Sequence, residues 1–132
     1  MNRFSMGAVV AAAVLLSACQ KVTTCDSKVR ADGIGAEIER VSQAMAGHSD
    51  VRTESCLGVL AFRKGDFAEA AEHDRRALGL VRSGRERALI QQRLAAALKY
   101  LHRSSEAIDL LKQAISTDAA LGDRAAQATA SA

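Results

Sequence analysis

Two helix-forming stretches meet at Gly65-Asp66, and that junction constrains the fold more than any other feature of the chain. Residues 53–64 read as a helix that stops at Gly65. A second helix restarts at Asp66. Asp66 with Glu69 three residues on has the form of an N-cap and its capping-box partner, with Asp standing in for Ser or Thr. The restarted helix carries Phe67, Ala70, Ala71, Ala77, Leu78 and Val81. Two helices joined by so short a turn must run antiparallel, as an αα-hairpin. The remaining sequence agrees. There is no proline in 132 residues, aromatics are 3%, and the apolar content is mostly Ala, Leu and Val. Ala, Leu, Arg, Glu and Gln favour helix over β-branched residues. No stretch past residue 20 alternates apolar and polar residues as a half-buried strand does. The expected fold class is all-α.

A further helix is expected over residues 33–46. Its Ile34, Ile38, Val41 and Met45 fall on one helical face, and Gly47 stands where a C-terminal stop belongs. Residues 19–32 are polar and read as a tether. Residues 119–132 read as a short capping helix around Leu121 or a disordered tail, because the closing Ala-Thr-Ala-Ser-Ala has little to bury.

The hairpin has a recognisable small-residue pattern. Leu57-Gly58 is followed by Ala61 and Phe62, then Gly65-Asp66, Phe67, Ala70 and Ala77-Leu78. The pattern returns 37 residues on, from Leu57 to Leu94. Leu94-Ala95, Leu98, Ala107, Leu111 and Ala114-Ile115 fall where Leu57-Gly58, Ala61, Ala70, Asp74 and Ala77-Leu78 stood. His102-Arg103-Ser104 takes the turn, with Ser104 as the expected N-cap. This resembles the tetratricopeptide repeat, whose period is about 34 residues. The extra three residues are expected within 79–87, with Gly84 as a helix break.

The resemblance implies an antiparallel helical-hairpin array of about two repeats plus an extra N-terminal helix, spanning 33–118. Gly58 and Ala70 are expected opposite each other, where only minimal side chains let helices approach. Three positions depart from the pattern. Glu54 stands where an aromatic is usual, Asp74 where Tyr or Phe is usual, and Arg82 where a proline is usual. The resemblance also implies that the first helix of each repeat lines a concave peptide groove. Carried over, the groove positions are Arg52, Ser55, Val59, Phe62 and Arg63, then Leu89, Gln92, Ala96, Lys99 and Tyr100. Arg63 and Lys99 would hold a carboxylate beside the aromatic anchors. The alternative is that the 33–46 helix itself covers these positions and makes Phe62 part of the core.

The N-terminus reads as an address. Arg3 precedes an apolar run over residues 6–16, which is short of the roughly 20 residues a spanning helix needs. Leu16-Ser17-Ala18-Cys19 then resembles the bacterial lipobox. That resemblance implies a signal peptide over residues 1–18, cleavage before Cys19, and acylation of Cys19 with diacylglycerol and palmitate-type chains. Each buried methylene of such a chain contributes about 0.8 kcal/mol to anchoring. Gln20, not Asp, follows the cysteine, which in a Gram-negative envelope points to the outer membrane facing the periplasm. Cys25 and Cys56 remain. In an oxidising compartment an even count reads as a disulfide, with two free thiols as the alternative. There is no C-x-x-C, and His48, His73 and His102 are scattered, so no metal site is expected.

Charge adds little. The formal net charge is +3, and without Arg3 the count is 17 basic against 15 acidic residues. Arg75, Arg76, Arg82, Arg85, Arg87 and Arg93 form the densest basic group, read as a solvated face beside Glu72, Asp74 and Glu86. No base-stacking aromatics accompany it, so nucleic acid is not an expected partner. No nucleophile elbow, phosphate loop or H-E-x-x-H motif is present. The glutamate pair Glu37/Glu39, the acid pair Glu72/Asp74 and the pair Glu69/His73 read as surface charge. No catalytic residue, cofactor or small-molecule substrate is expected. The expected role is a lipid-anchored scaffold or assembly factor of pilotin-like or adaptor type, binding an envelope protein or peptide. The alternative is a lipid-anchored inhibitor or exclusion factor that blocks its partner.

Overall fold

The structure, a computed structural model, describes residues 24–130. The expected signal peptide over residues 1–18 and Cys19 lie outside the described residues. After a single 3-10 turn at Ala31–Gly33, five helices follow: α1 (Ile34–Ala44), α2 (Val51–Lys64), α3 (Phe67–Leu80), α4 (Gly84–Tyr100) and α5 (Ser104–Ala130). Among the described residues there is no strand, and no helix is long and apolar enough to cross a membrane.

Each helix end has a local cause. α1 buries Ile34 and Val41, and the chain turns after it through Gly47 at φ +79°. α2 begins two residues before Thr53 because Asp50 caps it. The Asp50 carboxylate accepts from the Thr53 N–H at 2.9 Å and from the Thr53 hydroxyl at 2.8 Å. α2 ends in a Schellman motif. Gly65 sits at φ +87°, its N–H donates to the Phe62 carbonyl, and the Asp66 N–H donates to the Ala61 carbonyl. Asp66 then caps α3 by accepting from the Glu69 N–H.

The second hairpin repeats this turn. The His102 N–H donates to the Lys99 carbonyl and the Arg103 N–H to the Leu98 carbonyl. His102 takes the left-handed place of Gly65, at φ 61°. Between the hairpins the chain is extended at Val81, and Ser83 caps α4, so Gly84 is the first residue of α4 and the break lies just before it.

The main core lies between the hairpins. Ala61, Ala70 and Ala71 of the first pack with Leu94, Ala97, Leu98 and Ala107 of the second. Alanine dominates because the helices lie close, and this explains how a chain so poor in aromatics fills its interior. A second cluster joins Ile34 to Cys56 and Leu60, and a third joins Ala77 and Val81 to Ile90.

One segment differs from expectation. Residues 119–130 are not a separate cap but the continuation of α5 through Ala130. No proline interrupts the Ala-rich stretch, and one mid-helix glycine, Gly122, costs only about 1 kcal/mol. Thr117 and Leu121 lie against Gly84 of α4, which holds this part of the helix in place. The described part of the 19–32 tether is folded back by the expected disulfide. Cys25 is bridged to Cys56 with a Cα–Cα distance of 6.2 Å. Arg40 donates to the Thr24 carbonyl at 2.7 Å, and Arg63 donates to the carbonyls of Ser27 and Val29 at 2.8 and 2.7 Å. The segment from Thr24 is strapped onto α1 and α2.

Candidate protein-binding surface

The surface is defined by which polar groups the fold consumes and which it leaves. The strap consumes Arg63. Its guanidinium holds two backbone carbonyls, so it does not stand beside the aromatics to receive a carboxylate. Glu37 is also part of the strap, not a solvated acid. It accepts from Arg40 at 2.6 Å and from the Asp26 N–H at 2.8 Å. The Arg40 bond first, and the Asp26 N–H second, hold its carboxyl at about 2.

The two charged departures from the repeat pattern are both buried. Glu54 and Asp74 are 1% and 0% exposed. His73 Nδ1 lies 2.7 Å from Glu54 Oε2, and the Ser49 hydroxyl donates to the other Glu54 oxygen at 2.6 Å. Asp74 receives the guanidinium of Arg93 from α4, which also donates to the Ser55 hydroxyl at 2.9 Å. Burial pushes the Asp74 carboxyl up, and the Arg93 hydrogen bonds and charge oppose that. Asp74, His73 and Arg93 are therefore interior, not surface charge as the sequence suggested. Reading residues 72–74 as exposed rested on their polarity. The signal that could have placed them was in the pattern itself, since charges at two core positions of a hairpin require buried partners.

The remaining arginines do not converge. Arg75 and Arg76 lie 4.0 and 3.8 Å from Glu106 and Glu72, and Arg87 donates to the Val81 carbonyl. Arg82 and Arg85 are exposed.

The aromatics form one group. Phe67 and Tyr100 stack with centroids 4.4 Å apart, and Phe62 meets both edge-on at 5.1 and 5.8 Å. Phe62 is thus half-buried core, covered by Phe67 and Tyr100 and not by α1, which packs on the Cys56/Leu60 face of α2. Tyr100 keeps an exposed edge, at 58%. Of the other expected groove positions, Ser55 serves Arg93, Val59 is half-buried, and Arg52 and Leu89 are exposed.

Gln92, Ala96 and Lys99 are brought together. With Ala95 they form one wall of an open apolar groove of about 380 Å³ between α4 and α5. Ser104, Ala107, Ile108 and Leu111 form the other wall. Ile108 and Leu111 are 51% and 42% exposed, so this wall presents large aliphatic side chains to solvent. Among the described residues no group of three His, Cys, Asp or Glu is placed to hold a metal ion.

A family model described as tetratricopeptide repeat matches residues 50–120, more than half of the chain. The chain belongs to the tetratricopeptide repeat family. The match begins at the Asp50 cap and extends into α5, so it takes in both hairpins and leaves α1 and its strap outside. No curated protein and no solved structure matches the chain. Tetratricopeptide repeats generally mediate protein–protein interaction, and the α4/α5 groove is an open apolar surface of this array.

Proposed function

We propose that this tetratricopeptide repeat protein is a lipid-anchored scaffold or assembly factor of the cell envelope, acting by binding a protein partner and not by catalysis. The observation that carries the binding role is the open groove lined by Gln92, Ala96, Lys99, Ile108 and Leu111. The anchor is supported by Leu16-Ser17-Ala18-Cys19 after an apolar run. Gln20 favours the outer membrane, facing the periplasm. The Cys25–Cys56 bridge suits an oxidising compartment and adds a cross-link worth about 3–4 kcal/mol to a chain with only two repeats.

The test is site-specific photo-crosslinking in intact cells, with the crosslinker at Ile108 and, as control, at the exposed Glu39 of α1. A discrete protein adduct at Ile108 that is absent at Glu39, and absent again with Leu111→Asp, supports the reading. Absence of any adduct at Ile108, or the same adduct at both positions, refutes it.

A further inference from the structure

The α4/α5 groove has an occupied twin inside the same chain. Its wall residues lie 37 positions after Ser55, Gly58, Val59, Phe62, Phe67, Ala70, Ala71 and Asp74. Those residues form the matching surface of the first hairpin, and α4 covers it. Arg93 of α4 binds Asp74 and Ser55, Leu94, Ala97 and Leu98 pack with Ala70 and Ala71, and Tyr100 lies on Phe67 and Phe62. The second surface is thus a stacking surface, shaped for a helix in the attitude of α4.

The chemistry of its occupant follows by replacing each contact. Asp74 becomes Leu111, so an apolar side chain must stand where Arg93 stands. An arginine there would be desolvated against a leucine with no partner. Phe62 and Phe67 become Lys99 and Ser104. The position of Tyr100 then faces an ammonium, a hydroxyl and the first turn of α5, all of which favour a carboxylate. Among the described residues Lys99 has no acid within ion-pair distance. Ala70 and Ala71 become Ala107 and Ile108, so the Leu-Ala-Leu stripe between these two positions is retained.

We propose that the open groove accepts an amphipathic helix of a partner protein, docked as the first helix of a third hairpin. Its apolar residue faces Leu111, and its Asp or Glu, seven residues later, faces Lys99 and Ser104. The proposal rests on the array being a protein-binding surface and specifies what that surface takes. A second copy of this chain does not fit. Among the described residues its two first helices, α2 and α4, are already packed within their own fold, and at the position that needs an acid they present Arg63 and Tyr100, with Arg93 of α4 where an apolar residue is needed.

The test uses a labelled peptide of residues 84–100 carrying Arg93→Leu and Tyr100→Glu, with the unsubstituted peptide as reference, titrated into the full chain by fluorescence anisotropy. The substituted peptide is expected to bind at least roughly tenfold more tightly, since the reference buries an unpaired arginine. Leu111→Asp in the protein should abolish that binding. Lys99→Glu should weaken it, and a peptide with Tyr100→Lys should recover it. Equal binding of the two peptides, binding by neither, or indifference to Lys99→Glu overturns the proposal. So does a self-associated chain that Ile108→Asp makes monomeric, because the groove would then belong to a second copy. If the peptides fail while photo-crosslinking at Ile108 still captures a protein, the scaffold reading stands and this assignment of the docked helix falls.

Discussion

Arg93 crosses from the second hairpin into the first and binds Asp74 through two nitrogens, Nη2 at 2.6 Å and Nε at 2.9 Å from the same carboxylate oxygen. Asp74 is fully buried and Arg93 largely so. A pair of this kind contributes little over an apolar replacement, but breaking it by removing one partner strands a charge. It therefore sets how the hairpins register on each other more than how strongly they adhere.

Arg93→Ala is expected to destabilise the protein by roughly 3–5 kcal/mol at neutral pH, read by urea denaturation. The loss should shrink in acid. With Arg93 gone burial dominates at Asp74, opposed only by the charge of neighbouring His73, and burial raises its carboxyl above the usual 3.8. A group raised in the folded state penalises folding as pH rises through its unfolded value, so the penalty is absent below that value. A loss under about 1 kcal/mol at neutral pH would show that the pair is dispensable, and a larger loss that does not change with pH would show that it does not come from a stranded Asp74 charge.

Gly58 lies against the same carboxylate. A Cβ there would collide with Asp74 Oδ1 and come within 3.1 Å of its Cγ, while the Ala70 carbonyl lies 3.6 Å away. Arg93 holds Asp74 in place, so the side chain cannot simply swing aside. Gly58→Ala is expected to cost on the order of 1–3 kcal/mol despite the better helix propensity of alanine. In an Asp74→Ala background the same change should be neutral or stabilising. A double-mutant cycle with no coupling would contradict the contact.

The strap is expected to loosen in acid. Glu37 has its carboxyl lowered from 4.5 to about 2 by Arg40 and the Asp26 N–H. A depressed carboxyl contributes stability that is complete above its unfolded value and is lost as pH falls through its folded value, here between about 4.5 and about 2. Hydrogen exchange of the Asp26 amide should accelerate across that window, relative to its intrinsic rate, in the natural chain and not in Glu37→Gln. Parallel behaviour in both would sink the assignment. Solvent screens this pair, so the effect on global stability is small.

His102 holds a conformation that glycine adopts freely. At φ 61° it occupies the left-handed turn position that Gly65 fills in the first hairpin. His102→Gly is expected to raise stability by about 1 kcal/mol, because the turn relaxes a Cβ clash and keeps its hydrogen bonds. A lowered melting temperature would mean that the His102 side chain contributes something the turn geometry does not require.

The proposed anchor makes a covalent prediction. Protein extracted from membranes should have a mature mass that begins at Cys19 with acyl chains added, and Cys19→Ser should leave an uncleaved precursor. A soluble mature form beginning elsewhere would remove the anchor from the proposal.

The all-α class, both hairpins, the cap at Asp66 and a break near Gly84 were readable in the chain because they rest on short-range effects. A cap satisfies an N–H three residues away, a left-handed turn acts on one residue, and helical periodicity repeats within a turn. Gln92, Ala96 and Lys99, which the repeat pattern assigned to a groove along the first helices, lie together on one wall of the α4/α5 cavity. Tertiary structure alone decided the rest. Glu54 meets His73, and Asp74 meets Arg93, each across 19 residues of sequence, and Arg63 reaches back 34 and 36 residues to the strap. Whether a charge lies in water or in a core depends on which helix packs over it, and local sequence carries no term for that. The same holds for Phe62, an anchor by its position in the repeat but core in the molecule, because Phe67 and Tyr100 close over it once the hairpins have stacked.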